Sequence, residues 1–243
     1  MPARTSRSIA KVFAVFAALA ATPTAASAEP LPDGFVRLAE VDPSIRQDMR
    51  YAGAENFVGR RLAGYEAPAC ILTTKAAKAL ARVQKAVAAD GFTLIVFDCY
   101  RPERAVADMV RWSKEGGPAD PHWFPAVRRE HLISAGYVGA RSAHSRGSTV
   151  DLALVKAADG GTDPACGAAA PGMAEFGTGF DCFDKKSRTL FSPLPPGAAE
   201  NRARLVSAMA AAGFVNYPRE WWHFTLSGEP FPGRRFDFLV TAE

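Results

Sequence analysis

After Thr73 the apolar positions fall at Ala76, Leu80, Val83 and Val87, at spacings of four, three and four. That period marks one face of an amphipathic helix, with Thr73 or Thr74 as its cap and Gly91 as its stop. The period then changes. Phe92 to Phe97 is a short apolar run dense in β-formers, predicted as a buried strand that ends at Asp98-Cys-Tyr-Arg-Pro102. Pro102 suits the first turn of a following helix through about Trp112. Residues 113–123 read as a loop and 124–135 as helical. Thr149 to Leu154 alternates, with Val150, Leu152 and Leu154 on one side and Asp151 sharing the other with Thr149 and Ala153. Residues 157–197, rich in Gly, Pro and Ala, read as a long connection of the kind that usually serves function. A helix over 199–212 stops at Gly213, and Glu220 to Leu226 reads as a last strand. Residues 29–72 carry turn formers and little periodicity, which predicts short strands and loops wrapped on a core. Strands and helices do not alternate strictly, so the fold class expected is α+β, a single compact domain over residues 29–243.

The first 28 residues stand apart. Arg4, Arg7 and Lys11 precede an apolar core from Val12 to Ala21, and Ala26-Ser27-Ala28 matches a small-x-small cleavage pattern. The run is too short to span a bilayer, which needs roughly 20 apolar residues. The expectation is a signal peptide over 1–28, a mature N-terminus near Glu29 and a periplasmic or secreted protein, with no membrane span after cleavage. Removing this segment changes the charge picture. Of 29 basic and 25 acidic residues it holds three bases and no acid, leaving 26 against 25. A nucleic-acid partner, which would need clustered bases, is therefore not expected. The four cysteines, Cys70, Cys99, Cys166 and Cys182, suit disulfides in an oxidising compartment. Three pairings are open, and the flanking of a Gly-rich loop favours Cys166 with Cys182. No CxxC pair exists, which argues against a Cys-based zinc knuckle or a thioredoxin-type site.

Four histidines are present. His122 and His131 read as surface or core residues. His144 lies seven residues before Asp151, and His223 lies three after Glu220. A catalytic zinc site takes three protein ligands and keeps an open position for water, and His144, Asp151 and His223 supply two imidazoles and one carboxylate. Such a set leaves the ion residual positive charge with which to acidify water and polarise a carbonyl. Glu220 and His223 would face opposite ways on an extended chain, so Glu220 must sit in a bend before the strand, where Tyr217-Pro218 can make one. Trp221 and Trp222 are assigned to packing.

Ser142-x-His144-x-x-Gly147-x-x-x-Asp151 followed by Glu220-x-x-His223 resembles the zinc D-alanyl-D-alanine dipeptidases, the VanX-type enzymes of peptidase family M15, within the wider hedgehog and D,D-peptidase fold group. The similarity extends to Asp98-x-Tyr-Arg-Pro102, Tyr51-Ala, Asn56-Phe-Val-Gly, Gly64-Tyr65, Gly177-Thr-Gly-Phe-Asp181 and Phe236-Asp-Phe, and so spans nearly all of 40–238. It implies a largely antiparallel central sheet packed by helices, and one Zn2+ per chain on His144, Asp151 and His223. It also implies Glu220 as catalytic base and Arg101 as stabiliser of the oxyanion. Asp181 would receive the substrate ammonium, with Ser142 and Tyr65 at substrate-binding positions. The substrate implied is a small D,D-dipeptide. The alternative is a D,D-carboxypeptidase or murein endopeptidase acting on longer wall peptides through a more open cleft. Arg101 has a structural alternative as an ion pair with Asp98, and Asp181 as a solvated loop cap. The chain departs from the family in its export segment, in a longer 157–176 connection, and in Cys99, either a free buried thiol or half of a bridge, where a small residue is usual. Oligomeric state is not readable from the sequence.

Overall fold

A computed structural model describes residues 30–156 and 163–242, together with Met1 and Ala3. The rest of the expected signal peptide, its cleavage point and residues 157–162 of the long connection lie outside the described residues.

The helix predicted from the 76/80/83/87 spacing is present, preceded by several short elements. These are a strand β1 (Phe35–Arg37) and a one-turn helix α1 (Leu38–Val41); strands β2 (Arg46–Gln47) and β3 (Ile71–Thr73) then lead into helix α2 (Thr74–Ala89). Thr73 is the cap, its Oγ1 accepting the Ala76 N–H at 3.3 Å. Ala76, Leu80, Val83 and Val87 are all buried. Strand β4 (Thr93–Asp98), helix α3 (Glu103–Lys114), strand β5 (Thr149–Val155), helix α4 (Ala198–Ala211) and strands β6 (Phe214–Asn216) and β7 (His223–Leu226) follow.

Five strands form one sheet in the order β2-β4-β5-β7-β6; β2 pairs with β4 in parallel and every other pair is antiparallel. β1 and β3 make a separate antiparallel pair. Helices α2 and α4 pack on each other and on the sheet. The result is the single α+β domain expected, with a largely antiparallel sheet at its centre. All seven residues of β5 are buried, so the polar face of this strand is covered as well as the apolar one. Among the described residues no helix is long and apolar enough to cross a membrane.

Two expectations need correction. Residues 124–135 do not form a helix: only Arg129–His131 makes a 3-10 turn. The segment is instead tied to the end of α3, the Ser113 hydroxyl donating to the Arg129 carbonyl and Arg129 Nε to that of Gly116. The last strand begins at His223 rather than Glu220, because Tyr217 to Glu220 forms a turn closed by Glu220 N–H on the Tyr217 carbonyl at 3.0 Å. Trp221 and Trp222 are fully buried, as their packing role requires. Trp221 stacks on Phe176 at 4.0 Å and donates its indole N–H to Thr178 Oγ1 at 2.9 Å. The cysteines form two disulfides, Cys70–Cys99 and Cys166–Cys182. Cys99 is thus half of a bridge.

Candidate active site

One rung of the sheet carries much of the chemistry. A register shift between Val96 and Asp98 sets Asp98 opposite Asp151, and Asp151 is in turn opposite His223. Three adjacent strands therefore present a carboxylate, a carboxylate and an imidazole in one row. Bulges of this kind re-aim side chains near functional sites. Thr149 and Thr225, two pairs further along β5 and β7, join hydroxyls at 2.9 Å on the same face and fix the register beside the row.

His144 arrives from a 3-10 turn, His144–Arg146, immediately before β5. Gly147 ends that turn in the left-handed region at φ 78°. A Cβ there would run into the Phe35 ring, so the glycine of the His-x-x-Gly motif is required by both backbone and packing. The His144 ring is oriented by its Nδ1, 2.7 Å from the Cys99 carbonyl. Because a carbonyl only accepts, Nδ1 is the donor to it, which leaves Nε2 facing the row. Nε2 lies 3.2 Å from Asp151 Oδ2 and 3.3 Å from His223 Nδ1. Ser142, at the cavity wall, accepts the His144 N–H through Oγ at 3.2 Å and so steadies the same turn.

Arg101 follows β4 on a turn stopped by Pro102. Its Nε and Nη2 each lie 2.9 Å from Asp98 Oδ2, its Nη2 lies 3.7 Å from Asp151 Oδ2, and its guanidinium stands 4.8 Å over the Tyr51 ring. The ion pair with Asp98 and a position in the cavity wall are therefore not alternatives: Arg101 has both. Burial opposes its charge, but Asp98 outweighs that and holds its pKa well above the usual value. Tyr65 is fully buried behind this wall and spends its hydroxyl on Asp98 Oδ1 at 2.6 Å. It does not line the cavity; it buttresses the carboxylate that holds Arg101. Asp181 does line it, buried and with φ 59°, and its Oδ2 accepts the Tyr51 hydroxyl at 2.7 Å. It is no solvated cap. Burial, then the nearby Asp151 charge, push its carboxyl well above the usual range.

Glu220 enters from the turn before β7, its Oε2 3.6 Å from His223 Nδ1. The bend that the three-residue spacing demanded is the Tyr217–Glu220 turn. Burial raises the Glu220 carboxyl to about 7, against a partial counter-effect of His223. Asp151 moves the other way: burial resists ionisation, but His144 and His223 outweigh it and hold the carboxylate below its usual range. His223 is raised, since Asp151 overcomes the burial that disfavours its charged form.

These groups, Asp98 and Tyr65 apart, line a cavity of about 440 Å³ together with Tyr137, Val138, Tyr217 and Pro218. Its buried ionisable groups are strongly unbalanced. Asp151, Asp181 and Glu220 in its wall, with Asp98 behind them, face the one buried guanidinium of Arg101; Arg141 also lines the cavity but is exposed. A divalent cation fits this arrangement. One donor atom each from His144, Asp151 and His223 lies within 4.8 Å of the others. Asp151 Oδ1 is buried with no hydrogen-bond partner, although His223 Nδ1 is 3.0 Å away, as expected of two donors aimed at a common point. His122 and His131 are exposed and remote from this set.

The residues that sequence reasoning left without a role at the site are Tyr51 and the Cys99 carbonyl; Asp98 was read only as an ion-pair partner of Arg101. Asp98 sits three positions before Arg101, and that spacing was the available signal. Tyr51 lies 130 positions from the carboxylate it contacts, and a backbone carbonyl has no sequence signature.

Residues 32–241 match the family model described as D-ala-D-ala dipeptidase, Peptidase_M15. The chain is 39% identical over 208 residues to a D-alanyl-D-alanine dipeptidase of Streptomyces coelicolor, covering 85% of this chain and 98% of that one. It is 35% identical over 209 residues to one from Enterococcus faecium, with the same two coverages, and 36% identical over 211 residues to one from Enterococcus faecalis, covering 86% and 99%. With a family model matched over nearly its whole described length and relatives covered almost end to end, the chain belongs to the M15 peptidase family of D-Ala-D-Ala dipeptidases.

Proposed function

We propose that this protein is an exported zinc metallopeptidase that hydrolyses D-Ala-D-Ala and closely related free dipeptides. His144, Asp151 and His223 would hold the ion. When bound, it supplies Lewis acidity that polarises the scissile carbonyl and acidifies water. The remaining work belongs to the chain. Glu220, with a carboxyl near neutrality in its affinity for protons, accepts the proton of the attacking water and returns it to the leaving amine. Arg101, permanently charged and braced by Asp98, meets the oxyanion as it develops. His144 keeps its orientation through the Cys99 carbonyl and needs no proton exchange.

The observation that carries the dipeptidase reading is Asp181. A buried carboxylate in the wall of a cavity this small, with one phenolic donor and no cationic side chain hydrogen-bonded to it, suits a substrate ammonium group. An N-acylated wall peptide brings no such charge. The names of the relatives support the same substrate. The test compares free D-Ala-D-Ala with its N-acetyl form on zinc-loaded enzyme, before and after chelation. Preference for the free dipeptide, lost with the metal and restored by zinc, is the expected result; equal turnover of both substrates would remove this reading in favour of a carboxypeptidase.

Export is the second part of the proposal, supported by the basic-apolar-small order of residues 1–28. An exported enzyme would digest wall-derived dipeptide rather than intercept a precursor inside the cell. N-terminal sequencing of secreted material should begin near Glu29, and an intact Met1 would refute it.

A further inference from the structure

Asp181 is the one non-glycine residue with positive φ among those described. Such a conformation costs of order 1 kcal/mol and persists only where its surroundings impose it. Several of those surroundings come from one short crossing of two chain segments. Ala168 and Phe180 exchange both backbone hydrogen bonds at 2.8 Å, and the Gly179 N–H donates to the Cys166 carbonyl at 2.8 Å. At this crossing Gly167 and Gly179 are in such close approach that a Cβ on either would lie under 3.0 Å from the other's backbone. The Cys166–Cys182 disulfide closes the crossing on the residue directly after Asp181. Little regular structure does this work in its place: between β5 and α4 the described residues contain only the 3-10 turn Lys185–Ser187.

We infer that the Cys166–Cys182 disulfide is a positioning element for Asp181, and that its reduction weakens recognition of a free amino terminus without disabling the hydrolytic groups. The inference rests on the ammonium role proposed for Asp181. Redox access is uneven between the two bridges. Cys166 is partly exposed, whereas Cys70, Cys99 and Cys182 are 1%, 0% and 1% exposed. A thiol or phosphine therefore reaches Cys166 Sγ first. With a water-soluble phosphine the S–S bond breaks, the two sulfurs leave as thiols, and the phosphine becomes its oxide with oxygen from water. The catalytic row is tied down separately, by β4, β5 and β7 and by the Cys70–Cys99 bridge next to the carbonyl that orients His144.

The experiment uses the zinc-loaded enzyme and the two substrates D-Ala-D-Ala and N-acetyl-D-Ala-D-Ala. In Cys166→Ser/Cys182→Ser, KM for the free dipeptide should rise about tenfold with kcat within about twofold, and the preference for free over acetylated substrate should shrink by about the same factor. A loss of general stability would lower both substrates together and leave that ratio alone. The same measurement on wild type during phosphine titration, with zinc present and thiols mapped by alkylation, covers the case of a variant that does not fold. Cys166 and Cys182 should label before Cys70 and Cys99, KM should rise in step, and reoxidation should reverse it. An unchanged KM after complete labelling of Cys166 and Cys182, or prior opening of Cys70–Cys99, overturns the inference. Asp181→Asn in the same assay separates the two readings. If it leaves the ratio intact, the ammonium role itself fails; if it collapses the ratio while the cysteine variant does not, only the role of the disulfide fails.

Discussion

Asp151 on β5 and His223 on β7 are direct cross-strand partners, and their side chains meet with Oδ1 3.0 Å from Nδ1. Two of the three candidate ligands are therefore supplied by sheet register alone, since side chains opposite one another on antiparallel strands are already neighbours. A slip of one residue would send either to the other face. The third ligand, His144, is added by the turn that leads into the same strand. Asp151 is the shared member, within 3.2 Å of both imidazoles.

Asp151→Ala removes that shared member and should abolish stoichiometric zinc binding, read by elemental analysis of purified protein. Two imidazoles without the carboxylate lose both charge and geometry. Full zinc occupancy in this variant would exclude Asp151 as a ligand.

Glu220→Gln keeps the shape of the side chain and removes its basicity. Turnover of D-Ala-D-Ala should fall by roughly 10²–10⁴-fold while zinc content is unchanged, which separates proton handling from metal binding. Single-turnover kinetics beside metal analysis makes the distinction.

Arg101→Lys is a severe change despite conserving charge. Lysine cannot reproduce the fork that engages Asp98 through both Nε and Nη2 and still face Asp151. The expected loss in kcat/KM is about 10²–10³-fold, the size seen when one oxyanion donor is removed. Asp98→Asn should give a smaller loss of the same kind, because it loosens Arg101 without deleting it.

Gly147→Ala tests the turn that delivers His144. The new methyl meets the Phe35 ring, and the left-handed backbone disfavours any side chain. Together these should cost about 2–4 kcal/mol, measured by denaturant unfolding of the metal-free protein. Zinc affinity should fall as well if the turn sets the position of the His144 ring.

Away from the site, Asp108 on α3 accepts hydrogen bonds from both terminal nitrogens of the Arg60 guanidinium and from the Ala63 N–H. The Arg60 hydrogen bonds are the main reason its carboxyl is held below the usual range. Its folded pKa is depressed, so its stabilisation is present above the unfolded value and is lost as pH falls through the folded one. Asp108→Asn should therefore cost about 1.5–3 kcal/mol at neutral pH, and that difference should begin to narrow near pH 4 and vanish in stronger acid. Unfolding curves of both proteins across pH 2–7 measure it, and a difference independent of pH would show that charge is not the source.

The chain by itself determined the helices that have a clean period and the residues whose chemistry is unusual. The spacing of Ala76, Leu80, Val83 and Val87 needs nothing beyond the 3.6-residue turn to be read, and His144, Asp151, Glu220 and His223 are recognisable because metal chemistry restricts which side chains can serve. The three-residue gap between Glu220 and His223 even required the bend that is found, since strand geometry forbids the alternative. The tertiary structure decided what depends on contacts between distant positions. Residues 124–135 carry a helical composition but are held by Ser113 and Gly116, so local propensity lost to long-range hydrogen bonds. Tyr65 carries a motif position, yet its hydroxyl goes to Asp98 behind the wall, a fact fixed only by how the 62–65 turn packs on β4. Tyr51 reaches Asp181, and the Cys99 carbonyl reaches His144, across 130 and 45 residues. Hydrophobic periodicity records which face of an element is buried; it carries no record of which buried polar atom meets which, because that is settled only when the whole core closes.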